Sequence, residues 1–191
     1  MDRKLKTKSG FALMMSLIVV SVVVSIGLTL LDVTTKQLRL SANSRDSEIA
    51  IHAATAGIEC AHYWRNESTQ MENGENASLS CFGGNVDPVS ISPSAVTVSG
   101  SGNARLYEFQ KNWGSGSSER CSVMKVLIIN ADDTGPATVN NLPTRLSGYP
   151  TVSKKCETNG KCAVLVSRGY SKGCSNITSP GTIEREILLE L

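Results

Sequence analysis

Twenty-one consecutive positions, Phe11 to Leu31, carry no charge, and only Ser16, Ser21, Ser25 and Thr29 interrupt their apolar character. At about 1.5 Å per residue such a helix spans about 30 Å, the thickness of one bilayer core. The Val and Ile content is no obstacle, because in lipid only a helix or a closed barrel satisfies the backbone. Beyond the run the pattern becomes amphipathic. Between Thr35 and Trp64 there is no proline and the only glycine is Gly57. Ile49, Ala53, Ala56, Cys60 and Trp64 recur every three or four positions and predict one buried helical face. Arg39, Arg45, Asp46, Glu48 and Glu59 fall opposite, as a solvated face. A continuous helix over 11–65 would be about 80 Å long.

Residues 66–104 are rich in Asn, Ser, Gly and Pro and read as a loop-dominated region with one short strand near Ala95–Val98. Four stronger strand candidates follow, at Arg105–Gln110, Cys121–Ile129, Cys162–Ser167 and Thr182–Leu191. In the last of them Ile183, Ile187, Leu189 and Leu191 share one face, expected to pack on the helix. Thr182, Glu184, Glu186 and Glu190 share the other, expected to meet water, while Arg185 and Leu188 break the alternation. The last two strands, joined through Gly169–Gly181, read as an antiparallel pair, and residues 130–155 as a long polar insertion. The chain thus divides into a basic leader (1–10), an apolar helical half (11–31), an amphipathic half (32–65) and a globular part (66–191). The fold class is α+β, a long N-terminal helix against a small antiparallel sheet.

Charge sharpens this picture. The formal net charge is +2, but Arg3, Lys4, Lys6 and Lys8 against Asp2 place +3 in the leader alone. After residue 10 there are 15 basic and 16 acidic side chains, so no basic field awaits nucleic acid. Positive charge flanking an apolar span stays on the cytoplasmic side, which sends the rest of the chain outward. All six cysteines, Cys60, Cys81, Cys121, Cys156, Cys162 and Cys174, follow the span and suit disulfides in an oxidising compartment. Fifteen pairings are open to them. Zinc needs paired CxxC spacing or interleaved histidines. Cys156 to Cys162 is instead a CX5C loop, and His52 and His62 lie ten positions apart on the predicted helix, too far to share a metal.

No nucleophile elbow, HExxH or Walker motif occurs, so the chain reads as a non-enzyme without metal or cofactor. Gly100-Ser101-Gly102 and Gly114-Ser115-Gly116 are flexible turns by composition. Asn66-Glu67-Ser68, Asn76-Ala77-Ser78 and Asn176-Ile177-Thr178 match the glycosylation triplet, a match that is common by chance.

The apolar run has three possible fates: a cleaved secretory signal, a retained anchor, or a trimmed assembly stem. Secretory signals have shorter apolar cores ending in small-x-small. Here Ser25-Ile26-Gly27 is followed by Leu28, Leu30 and Leu31, which favours retention. Lys8-Ser9-Gly10-Phe11 resembles the processing site of type IV prepilins, in which a basic leader is removed after glycine and the new terminal phenylalanine is methylated. The segment Arg45-Asp46 through Ala53-Ala54-Thr55-Ala56-Gly57-Ile58-Glu59 resembles the amino-terminal region of PilX-type minor pilins. The likeness covers about 60 residues, with stem, Arg-Asp pair and alanine turn in one order. The stretch from Ser167-Arg168-Gly169-Tyr170 to Glu184-Arg185-Glu186 resembles the closing hairpin of these proteins. Met15 stands where most pilins carry a glutamate, and Thr55 where many members are acidic.

The resemblance implies a pilin-like fold with disulfide-pinned loops, processing at Gly10 and Phe11, and a single-pass start in the cytoplasmic membrane with the amino terminus inside. It implies other pilin subunits, a prepilin peptidase and inner-membrane assembly machinery as partners, and an extracellular filament as destination. Together with loop closure it favours the pairs Cys60–Cys81, Cys121–Cys174 and Cys156–Cys162. In the family the missing glutamate neutralises a neighbour's terminal amine inside an apolar core, where unpaired charge is costly. Met15 therefore points to a low-copy minor pilin or pseudopilin, priming or tip-proximal, rather than the repeating subunit. The alternative is an uncleaved single-pass anchored binding module that presents 66–105 and 130–155 to a ligand.

Overall fold

The computed structural model describes residues 9–191; the leader up to Lys8 lies outside the described residues. Helix α1 (Ser9–Glu67) is unbroken over 59 residues. The chain forms two compact units that divide after Ser44. In the first, every residue from Gly10 to Ser44 is exposed. The second, Arg45–Leu191, holds the rest of α1, two short helices and ten strands.

Behind α1 come α2 (Thr69–Asn73), β1 (Ala77–Cys81), β2 (Gly84–Ile91), β3 (Ser94–Val96), β4 (Val98–Gly100), β5 (Gly102–Trp113) and β6 (Arg120–Ala131). Then follow β7 (Ala137–Asn140), α3 (Leu142–Arg145), β8 (Ser153–Cys156), β9 (Lys161–Tyr170) and β10 (Glu184–Glu190). Seven strands make an antiparallel sheet in the order β1-β2-β5-β6-β9-β10, with β3 sharing an edge of β5. A second sheet has the order β4-β7-β8. The fold is therefore α+β, with a larger sheet than the alternation alone suggests.

Two cores flank the large sheet. On one face Tyr107, Phe109, Met124, Val126, Ile128 and Leu165 pack with Ile58 and Ala61 of α1. On the other, Leu106, Leu127, Ile129, Val164 and Val166 pack with Val139, Leu142, Leu146 and Tyr149 of the second layer. That is why the runs Val126–Ile129 and Ala163–Ser167 are buried without a break: both faces of the central strands are covered.

Three expectations are corrected. Residues 66–104 are not loop-dominated but hold α2 and β1–β4. Ser68 caps α2, its hydroxyl accepting from the Met71 N–H at 3.2 Å, and the Tyr107 hydroxyl donates to the Met71 and Glu75 carbonyls at 3.1 Å each. The 130–155 insertion is a second layer, and it reaches part of the β10 face that was expected to meet water: Leu188 packs into it, Tyr149 donates to Glu190 and Lys154 pairs with the same carboxylate, while Glu184 and Glu190 stay exposed as expected. Third, the buried stripe of α1 is Ala50, Ala53, Ala54, Gly57, Ile58, Cys60 and Ala61, while Ile49, Ala56 and Trp64 are only half-buried. The stripe is offset because around Ala50, Ala54 and Gly57 the helix meets the sheet at backbone distance, where only the smallest side chains fit. A Cβ on Gly169 of β9 would collide with the Ala50 carbonyl oxygen and lie 2.9 Å from Ala54 Cα. One on Gly57 would collide with Ser167 Oγ and lie 2.9 Å from Ser122 Cβ.

Each disulfide ties a different pair of parts. Cys60–Cys81 joins α1 to β1, Cys121–Cys174 joins β6 to the segment before β10, and Cys156–Cys162 joins the small sheet to the large one.

Candidate functional site

Among the described residues of the first unit the main chemical feature is the apolar surface. Sixteen large apolar side chains between Phe11 and Val33 are about half exposed or more, Phe11 at 72% and Met15 at 49%. At roughly 1–2 kcal/mol each, their exposure to water costs on the order of 20 kcal/mol, more than a domain's whole stability. The stretch is long and apolar enough to cross a membrane. Its hydroxyls are compatible with lipid: Ser16, Ser21 and Ser25 each donate to the carbonyl three residues back at 2.8 Å, and Thr29 does the same to Ile26. No side-chain donor is left over there to penalise an apolar environment. The first charge past the run, Asp32, is matched by Lys36 one turn later at 2.7 Å. Gly10 is exposed, and a Cβ there would meet nothing within 4 Å.

In the second unit an exposed ridge of α1 lies beside the sheet. Ile49, His52, Ala53 and Ala56 line one groove of about 360 Å³ with Trp113 and Arg120. One turn further, Glu59, Cys60 and Tyr63 line another of about 380 Å³ with Ser80, Cys81 and Phe82. Trp113 and Phe82 meet edge to face, ring centres 5.6 Å apart. Phe82 occupies the tip of the β1–β2 hairpin at φ +49° and is 73% exposed, a strained place for a bulky residue. Ser122 fixes the first groove's wall: it accepts from Trp113 Nε1 at 2.6 Å and donates to the Ala53 carbonyl. A polar recess of about 440 Å³ is lined by Asp46, Glu119, Arg120, Lys172, Asn176 and Ser179.

Charged pairs organise the β10 end of the sheet. Arg168 Nε contacts Glu186 at 2.6 Å and Glu184 at 3.4 Å. Hydrogen bonds from Lys154 and Tyr149 hold the Glu190 carboxyl below its ordinary pKa. Burial, reinforced by the bond to Glu190, pushes the Tyr149 hydroxyl up to about 12.

Of the residues singled out from sequence, Gly10 and Phe11 stand exposed on α1, and the six cysteines form the three bonds described above. The structure does not bring the histidines together: His52 faces Glu48 at 3.9 Å, and His62 contacts Asn66 at 3.2 Å. Among the described residues no three His, Cys, Asp or Glu side chains converge on a metal position. Sequence reasoning missed Ser122, Phe82 and the Tyr149–Glu190–Lys154 group. Only Phe82 left a trace, in the turn pair Phe82-Gly83 between two short alternating runs. No protein-family model, curated protein or solved structure matches the chain.

Proposed function

We propose that the chain is a minor pilin or pseudopilin, a structural subunit of a type IV filament or related system that assembles through the apolar half of α1. The observation that carries this reading is the continuity of one helix. The same 59 residues begin with the Gly10-Phe11 junction, present a wholly exposed apolar surface, and end as the small-residue stripe beneath the sheet. A signal destined for removal needs no such continuation, and an anchor needs no small-residue junction before it. Insertion with the basic leader inside leaves the disulfide-bonded part outside. Met15 supports a subunit at low copy, priming or near a tip.

A second reading, an uncleaved anchored binding module, draws on the aromatic grooves beside α1 and on Met15 itself. Intact mass and amino-terminal sequencing of protein recovered from membranes or sheared surface fibres separate the two. We expect a terminus at Phe11, methylated. A terminus at Met1 or Asp2 would overturn the filament reading in favour of the anchored module.

A further inference from the structure

Sheets expose unpaired backbone at their edges, and natural proteins blunt those edges with bulges, prolines, lysines or short strands. Here the edges are treated unequally. At the β1 end the ladder slips between Ser78 and Ser80, and β2 carries Pro88 and meets β5 in register only at Asp87 and Gln110. In the small sheet the outer strands are short, Val98–Gly100 and Ser153–Cys156. β10 is blunted only by charge, at Glu184, Arg185, Glu186 and Glu190. It pairs with β9 over all seven residues without a register shift, and it contains neither proline nor lysine.

The register fixes which groups are free. The Ser171 N–H donates to the Ile183 carbonyl, and Ala163 and Leu191 bond each other's backbone, so the odd-numbered residues of β10 direct their backbone inward to β9. Glu184, Glu186, Leu188 and Glu190 therefore point their N–H and C=O groups outward, on the last strand of the sheet. Midway along, Ile187, Leu188 and Leu189 are each only half-buried, the first and third against the α1 core and the second against the other. Both cores are left open at this edge.

We propose that the free edge of β10 docks an extended segment of another protein, which adds an eighth strand to the sheet. The segment would carry Lys or Arg at alternate positions and apolar side chains between them. Backbone pairing supplies the affinity and the alternating pockets the selectivity. Ile187 and Leu189 receive the apolar side chains. Glu184, Glu186 and Glu190 face the basic ones, because among the described residues two cations, Arg168 and Lys154, pair with these three carboxylates, and Glu184 is the least tightly held, at 3.4 Å from Arg168. A second copy of the chain is a poor occupant. Antiparallel self-pairing centred on 186, 187 or 188 sets Glu186 against Glu186, Glu184 against Glu190, or Glu186 against Glu190, and like charges directly opposite destabilise a pair.

The test is backbone amide exchange followed by NMR on the full chain in detergent micelles. The probe is the peptide Lys-Val-Lys-Val-Lys-Val, and its Glu-for-Lys counterpart is the control. The basic peptide should slow exchange at Glu186, Leu188 and Glu190 by about tenfold or more, leave the already paired Ile187 and Leu189 little changed, and be without effect in its acidic form. Glu186→Pro, which removes an outward N–H and none of the β9 ladder, should abolish the slowing. Should that variant fail to fold, the contrast between outward and inward amides in the natural chain decides. No slowing with the basic peptide at millimolar concentration overturns the proposal. So does slowing that follows protein concentration without peptide, which would mean that copies pair after all.

Discussion

At single positions this fold depends on what is missing. Gly169 and Gly57 let α1 and the sheet approach until helix backbone touches strand backbone, and Ser122 uses that proximity to donate into the Ala53 carbonyl. Adding one methyl at Gly169 forces the helix off the sheet, because the colliding atoms are backbone and cannot rotate away. Gly169→Ala should therefore lower the stability of the second unit by about 2 kcal/mol, within the range for overpacked cores. Gly27→Ala, where a Cβ meets nothing within 4 Å, should leave it unchanged. Thermal unfolding of the two variants side by side checks this, and equal melting temperatures would mean that the close approach is not maintained in solution. Ala53 and Ala56 are legible in the sequence as part of a buried helical face. The full stripe is not, because the spacing that runs from Ile49 to Trp64 passes over Ala50 and Ala54.

Among elements, the layer of β7, α3 and β8 was the least legible. Its segment is polar and holds Pro136, Pro143 and Pro150, all signals of loop. Its strands are four residues each, too short for periodicity to register. The β1 alternation Ala77-Ser78-Leu79-Ser80-Cys81 was present but faint, since Ala and Cys count weakly as apolar. The long strands were found because both faces are buried, and the β9–β10 pair because its connection is compact. Beside the packing of Leu188, charge holds the second layer to β10, and that part depends on pH. The Glu190 pKa is depressed from 4.5, so its contribution is present above that value and is lost as pH falls through the lower folded one. The Tyr149 pKa is raised from 10.0 to about 12, so its contribution is present below 10 and lost as pH climbs toward 12. Glu190→Gln should thus lower the melting temperature by roughly 1–3 °C near neutrality, the small size expected of a part-exposed pair. The difference should shrink steadily as pH falls below the ordinary carboxyl range and Glu190 takes up its proton. A gap that stays constant from neutral to acid would show that the effect is packing and not the ion pair.

For the whole molecule, the decisive quantity is the apolar surface from Phe11 to Val33, which must be covered by lipid or by other helices. Within a bilayer both covers serve equally, because lipid tails are as apolar as Leu and supply no hydrophobic drive toward helix association. Something else must select an assembled stem, and in the filament reading it is the electrostatics at the trimmed terminus. A chain cut after Gly10 carries a new amine at Phe11, and burial among apolar helices is costly unless a carboxylate meets it. With Met15 this chain supplies none to its neighbour, yet its own amine can be met by a neighbour that carries one. That asymmetry allows it to occupy one end of a stack and forbids it from repeating. Met15→Glu removes the asymmetry, and the variant should enter filaments at severalfold higher copy, with the second unit's melting temperature unchanged, since residue 15 lies in the other unit. Quantitative mass spectrometry of sheared fibres against membrane-retained protein gives the ratio. If the chain keeps its leader, no new amine forms, the added carboxylate only burdens the span, and the ratio stays flat or falls. A flat ratio beside a confirmed Phe11 terminus would instead show that copy number is set by contacts of the folded second unit, with the β10 edge the first place to look for them.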